Sequence, residues 1–423
     1  MKEFEKKCDT NYHNNTINIP GWGEKSQPYQ SDSQQTYSLI NEEISLPAAV
    51  IQQSRINNNL DWMQRFAATH NVKLCPHGKT SMTPALFRQQ LDQGAWGMTV
   101  ATAAQAEVAA LAGASNIIIA NQLVGKANMA IVANLIEQHS VDVFVCVDSQ
   151  RNVEALGQFF ASRDVKLNVL IEFGVEGGRC GCRTEQQVAE LAQRIADQSH
   201  LLLTGIEAYE GVIHGDNAEQ AIRDFLNQIV TLGRKLARGQ LISGKPIVTG
   251  AGSAWYDVVS ECFANLDDLD AIIRPGCYAI HDTGIYLDAQ NKVMARAEKN
   301  QGAACDLGGD LQSSLEVWAH VISKPEPGKL VVGLGKRDVA FDAGLPIPER
   351  AYRDGEAISV SNAVTTAVMD QHAFMEIDPD CPLDVGDVVA FSTSHPCLTF
   401  DKWRAIAVCD DEYNVTHWVE TRF

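Results

Sequence analysis

Lys79 stands just after the short apolar run Leu74-Cys75-Pro76, with His77 two residues before it. An amine displayed at the carboxyl end of the first strand of an α/β unit can attack a carbonyl carbon once its surroundings lower its pKa. Side chains on an extended backbone alternate, so His77 and Lys79 are expected on one face. A lysine at a strand end is more often a solvated surface charge, so the chemistry needs support from elsewhere in the chain.

That support comes from two further stretches. The segment Thr249-Gly250-Ala251-Gly252-Ser253 precedes a stretch of helical period, where glycines let backbone N–H groups and a serine hydroxyl approach a phosphate. A plain glycine-rich turn is the alternative. The stretch lacks the GxxxxGK[ST] spacing of a P-loop, and Lys245 precedes the glycines, so nucleoside triphosphate binding is disfavoured. Near the end of the chain, Ser394-His395-Pro396-Cys397 places an imidazole and a thiol two residues apart after an apolar β run. On an extended backbone both reach one ion from one side, and these donors favour zinc over magnesium or calcium. Two ligands are fewer than the usual three of catalytic zinc, so another ligand, water or substrate must complete the shell. Cys180-Gly181-Cys182 is a poorer candidate because Arg179 puts a positive charge beside it, and these cysteines read as packing residues.

The elements that must carry these residues follow from periodicity. From about residue 47, short β-rich runs alternate with helical segments, the pattern of βα units and a parallel sheet. Eight strands are expected, at 72–75, 97–101, 116–120, 142–147, 167–173, 203–208, 246–249 and 271–274. Helices are expected between them at 83–93, 103–112, 126–138, 151–162, 184–198, 218–239 and 256–264. The count is that of a (β/α)8 TIM-like barrel, with an open doubly wound sheet as the alternative. In such a barrel the strands' carboxyl ends carry function, and Lys79, Arg179, Tyr209, Gly250 to Ser253 and Arg274 all fall there. After about residue 290 the pattern turns to β-rich runs at 312–324, 329–332, 373–377 and 388–392, separated by Pro/Gly/Asp turns. This reads as a second, mostly antiparallel β domain. The expected division is an N-terminal extension at 1–45, a barrel at 46–290 and a β domain at 291–423.

Composition bounds the partners. A chain of 423 residues is long for one core, since a single α/β barrel takes about 250 residues. The formal net charge of −19 argues against nucleic acid or an anionic membrane surface as partner. No apolar run approaches the roughly 18 residues of a membrane helix. Eleven cysteines without framework spacing, and no apolar signal segment in the first thirty residues, suggest reduced thiols in the cytoplasm.

Taken together, Pro76-His77-Gly78-Lys79-Thr80, Arg179, Tyr209, Gly250 to Ser253, Arg274-Pro275-Gly276 and His395-Pro396-Cys397 with Phe400-Asp401-Lys402-Trp403 resemble the D-serine dehydratase and D-threonine aldolase family. These are pyridoxal phosphate enzymes of the alanine-racemase-like fold, and the resemblance runs over roughly residues 45–423. It implies that Lys79 carries pyridoxal 5'-phosphate as a Schiff base and is the catalytic base. It further implies that His77, Thr83 and Arg179 flank the cofactor, and that Gly250, Gly252, Ser253, Gly276 and Tyr278 hold its phosphate. Either Tyr209 or Arg274 faces the pyridine ring or its nitrogen. Zn2+ on His395 and Cys397 would act at the β-hydroxyl of a small D-amino acid. The implied activity is dehydration of D-3-hydroxy amino acids such as D-serine or D-threonine to a 2-oxo acid and ammonia. Aldol cleavage of D-threonine to glycine and acetaldehyde is the alternative. The aldolase branch usually has a carboxylate where this chain has Cys397, and a thiolate favours zinc and dehydration. A racemase would need a second base, and neither Tyr352 nor Tyr413 stands in a context that suggests one. A homodimer is implied by resemblance alone.

Overall fold

The computed structural model describes Lys25, residues 36–242 and residues 244–423, so most of the expected extension at 1–45 lies outside the described residues. The chain forms two compact units. One takes residues up to Leu60, Cys277–Asp288 and Asp310–Phe423, and the other takes Asp61–Gly276 and Ala289–Gly309.

The second unit is the barrel. Its eight parallel strands are Lys73–Leu74, Met98–Val100, Asn116–Gln122, Asp142–Val147, Leu167–Glu172, Leu201–Glu207, Ile247–Gly250 and Asp270–Ile273, here numbered one to eight in chain order. Strand one pairs with strand eight, and the ladder runs through consecutive neighbours back to strand two. The ring closes between strands one and two through Trp96 N–H to Leu74 O at 2.7 Å and Thr99 N–H to Pro76 O at 2.8 Å. β-branched runs such as Ile117-Ile118-Ile119 suit strands buried on both faces. Cys75, Ile118, Phe144, Leu170, Ile247 and Ile272 fill the interior.

The helices earn their places by an apolar stripe. In Ala218–Arg238, residues Ile222, Phe225, Leu226, Ile229, Val230, Leu232 and Leu236 are buried at three- and four-residue spacing. Each of the large side chains among them contributes roughly 2 kcal/mol by leaving water. Gly233 lets this helix approach strand seven, since a Cβ there would stand 3.2 Å from Val248. Thr184 and Gln187 form a reciprocal capping box at the start of Glu185–Ala196, worth about 1 kcal/mol.

The other unit is built on a mixed, mostly antiparallel sheet. Ala48–Gln52, which falls inside the barrel span expected from sequence, belongs to this sheet. It pairs antiparallel with Leu315–Glu326 and parallel with Ala405–Cys409. The two units are therefore interleaved along the chain where the sequence reading places one boundary near residue 290. Helices Gln53–Thr69 and Ile285–Asn300 are also additions to that reading. The core of this unit is aromatic, with Trp318 stacked on Tyr352 at 5.5 Å and Tyr413 against Trp318 at 4.9 Å. Both tyrosines considered as a racemase base thus pack in this core. Among the described residues no helix is long and apolar enough to cross a membrane.

Candidate active site

In the barrel unit, Lys79 lies exposed in a 3-10 turn, Gly78–Thr80, that follows strand one. The strand ends at Leu74, so the alternation expected to align His77 with Lys79 does not reach them. Instead His77 caps the turn, its Nδ1 accepting the Lys79 backbone N–H at 3.4 Å. Burial and the charges of Lys79, Arg274 and Arg179 push the His77 pKa well below the ordinary range, so the ring is neutral. The turn rests on Phe87: a Cβ on Gly78 would stand 2.4 Å from its ring. Thr83 is buried and its hydroxyl donates to Ser81 O at 2.9 Å, within its own turn.

Arg179 and Tyr209 form one cation–π pair, with the guanidinium 4.6 Å from the ring centroid. Arg274 is buried at 5% exposure. Its Nη2 donates to Glu207 Oε1 and to Ala208 O, the latter at 3.1 Å. Its Nε has no protein partner, and neither do Glu207 Oε2 and Thr249 Oγ1. A buried donor left unsatisfied is costly, so this cluster suits a ligand that brings an acceptor to Arg274 Nε, as an unprotonated pyridine nitrogen does.

The glycine-rich loop behaves differently from the sequence expectation. The N–H groups of Ala251 and Gly252 donate to the buried carboxylate of Glu210 at 3.1 and 2.7 Å. Glu210, at 0% exposure, takes both of these donors. Gly250 ends strand seven, and a Cβ there would meet nothing closer than 3.5 Å. Gly252 is required by Tyr209, whose ring would lie 3.0 Å from a Cβ. Ala251 adopts φ +75°, an uncommon left-handed conformation for a residue with a Cβ. What remains of the expected cradle is Ser253, whose Oγ accepts Gly276 N–H at 3.3 Å, with Gly276 packed so tightly that a Cβ would stand 2.5 Å from His77 O.

Sequence reasoning missed the acidic floor. Cys146, Glu172 and Glu207 end or nearly end strands four, five and six, and their donor atoms lie within 4.8 Å of one another. By distance alone they could hold a metal ion. Their chemistry points elsewhere, because Glu207 already carries the Arg274 guanidinium and Gln122 donates to Glu172 Oε2 at 2.7 Å. Burial and the Glu207 charge push the Glu172 carboxyl up to about 7. The position of these acids at strand ends was the available signal.

The His395 and Cys397 pair lies in the other unit. The backbone is not extended there: Pro396 is in the αR region and a one-turn helix begins at Cys397. His395 Nδ1 bonds Asp342 Oδ2 at 2.7 Å, the kind of carboxylate contact that orients a ligating histidine. Cys397 Sγ lies 3.7 Å from Cys277 Sγ. Tyr286 hydrogen-bonds Cys277 and sets its ring edge against His395 at 6.2 Å. Asp282 stands three residues before helix Ile285–Asn300, its Oδ1 accepting the N–H groups of Gly284, Tyr286 and Leu287 at 2.9, 3.0 and 3.2 Å. Tyr278 belongs to the same unit and is buried in the turn Cys277–Ala279. An imidazole with a fixed tautomer beside a thiol is a donor set that fits zinc.

Comparison with known proteins matches two stretches of the chain. Residues 51–278 match the model of the alanine racemase N-terminal domain, and residues 314–409 match a putative serine dehydratase domain. The chain is 27% identical over 374 residues to D-threonine aldolase of an Arthrobacter species, covering 87% of this chain and 90% of that one. It is also 27% identical over 390 residues to D-threo-3-hydroxyaspartate dehydratase of Delftia sp. strain HT23, covering 89% and 97%. Among solved structures, D-threonine aldolase from Filomicrobium marinum superposes with a TM-score of 0.75 at 22% identity, covering 91% of this chain and 97% of that one.

Proposed function

The chain belongs to the alanine racemase N-terminal domain family and is a pyridoxal phosphate-dependent lyase, and from that premise we propose that it dehydrates D-3-hydroxy amino acids. The observation that carries this reading is Cys397 beside His395, because a thiolate and an imidazole held in one tautomer by Asp342 select zinc. Pyridoxal phosphate, when bound, supplies the electron sink for carbanion chemistry, and zinc, when bound, supplies a Lewis acid for an oxygen.

The chain's own residues then have distinct tasks. Lys79 Nζ takes the proton from the substrate α-carbon, and His77, neutral and bonded to the Lys79 backbone, fixes the turn that presents it. Arg274 Nε would donate to the pyridine nitrogen of the bound cofactor, with Arg179 and Tyr209 beside it. Ser253 and Gly276 would hold the phosphate end. His395 and Cys397 would hold the zinc, which would supply a Lewis acid for the departing β-hydroxyl. The sum is a 3-hydroxy amino acid converted to a 2-oxo acid and ammonia, with one water lost and one regained.

A second reading, aldol cleavage, is favoured by the likeness to D-threonine aldolase. Incubation with D-serine, D-threonine and D-threo-3-hydroxyaspartate separates the two. Keto acid and ammonia are expected from dehydration, and glycine with an aldehyde or glyoxylate would replace the first reading by the second. The same reading expects a cytoplasmic homodimer, which sedimentation of the purified protein checks for its oligomeric part.

A further inference from the structure

We propose that Glu207 is a positioning residue for Arg274, fixing the rotation of the guanidinium so that Nε is kept for the ring nitrogen of the cofactor. The inference rests on the placing of Arg274 at the pyridine ring given above. Glu207 ends strand six and Arg274 follows strand eight, with strand seven between them. Arg274 therefore reaches across the carboxyl end of strand seven, where its own backbone N–H donates to Gly250 O at 3.1 Å. At the tip of the side chain, Nη2 donates to two acceptors, Glu207 Oε1 and Ala208 O. Two bonds on one nitrogen hold a planar group against rotation.

The pair is only half closed. A guanidinium and a carboxylate commonly form a fork of two parallel bonds. Here Arg274 Nε and Glu207 Oε2 both lack a protein partner, although Glu207 is 1% exposed. Such a pair does little for stability, because the desolvation of two charges offsets what one prong contributes. It does present a donor: the bonds at Nη2 hold the group, and Nε is left for an acceptor that a ligand brings. The neighbours keep Glu207 the charged acid of this cluster. Cys146 and Glu172 have donor atoms within 4.8 Å of its carboxylate. Burial and the Glu207 charge raise both of their pKa values, the Glu172 carboxyl to about 7. Cys146 thus holds its proton and Glu172 holds one below about pH 7, so the single charge of Glu207 is matched to that of Arg274.

The test loads the full chain with pyridoxal phosphate carrying nitrogen-15 in its ring, and reads that nitrogen by magnetic resonance together with cofactor affinity. The unsubstituted protein should show an unprotonated, hydrogen-bonded ring nitrogen. Glu207→Asp keeps the charge but is one methylene too short to hold Arg274, so the ring signal should leave its position and affinity should fall about tenfold or more. Glu207→Gln keeps the length and an oxygen for Nη2 while losing the charge, and should retain the ring signal. In the cofactor-free unsubstituted protein labelled at arginine, the two Nη atoms of Arg274 should give separate signals. An unchanged ring signal and affinity in Glu207→Asp, a ring signal lost equally in Glu207→Gln, or one averaged Nη signal overturns this inference while leaving Arg274 at the ring. A protonated ring nitrogen in the unsubstituted protein overturns the placing of Arg274 and this inference with it.

Discussion

Replacing Glu172 by glutamine tests whether the barrel floor holds a proton at neutral pH. Glu172 ends strand five at 3% exposure, and burial with the Glu207 charge raises its carboxyl from 4.5 to about 7. The donor from Gln122 and the charge of Arg179 oppose this and are smaller. The folded protein therefore binds the proton more tightly than the unfolded chain does. The resulting stability is fully present below about pH 4.5 and is lost as the pH rises through about 7. At about 1.4 kcal/mol for each pH unit of separation, the term amounts to about 3 kcal/mol. Glutamine keeps an oxygen for Gln122 and removes the titration. For a unit of a few hundred residues, 1 kcal/mol moves the midpoint roughly 2–4 °C, so the difference between the two proteins should change by about 6–12 °C. The assay is the thermal midpoint of both proteins, stripped of cofactor, between pH 5 and pH 8.5. The wild type should lose ground to Glu172→Gln from pH 5 to about 7 and hold level above that, and other titrations cancel in the difference. A difference that stays flat with pH would mean that Glu172 is ionised throughout, and the reasoning from burial and Glu207 would fail.

Three other changes probe separate parts of the site. Lys79→Ala should abolish the near-visible absorbance band that borohydride removes from the unsubstituted protein, and a band surviving in the variant would refute Lys79 as the cofactor lysine. Glu210→Ala leaves the Ala251 and Gly252 N–H groups without their acceptor, at about 1–3 kcal/mol each, and Glu210→Gln should restore part of the loss in denaturant unfolding. Asp342→Asn should weaken zinc binding about 10–100-fold in chelator competition, and unchanged affinity would show that Asp342 does not orient His395.

The barrel was legible because its signals are local and repeated. Strand four was bounded correctly from Asp142 to Val147, since an apolar run between two helical segments leaves little choice. Ala48–Gln52 was not, because a short buried apolar strand looks the same whether it joins a barrel or another sheet, and its partners lie at Leu315 and Ala407. Of the site, the residues at strand ends were found by position, while their partners were not. The Glu210 carboxylate that captures two loop amides, and Asp342 behind His395, are contacts of long sequence separation that no spacing rule encodes. The turn at Gly78–Thr80 shows the opposite error, where a period valid for strands was carried five residues past the end of one, to Lys79.

Strand one contributes only Lys73 and Leu74 to the ladder, and the ring is joined to strand two by backbone bonds to Leu74 O and Pro76 O and the Thr99 hydroxyl bond to Cys75 O. The barrel thus has a seam, and the turn bearing Lys79 hangs from it. A seam held by so few hydrogen bonds is where such a cylinder opens first, and its amides at Trp96 and Thr99 should exchange ahead of those in strands four to six. Any molecule that bonds to Lys79 and rests on Arg274 and Gly276 spans from strand one to strand eight, like a clasp beside the weak join. Loading the cofactor would then pin the Lys79 turn to strand eight, and slower exchange of the Cys75 and His77 amides, which donate to Ile273 O and Pro275 O, becomes a measure of occupancy that needs no turnover.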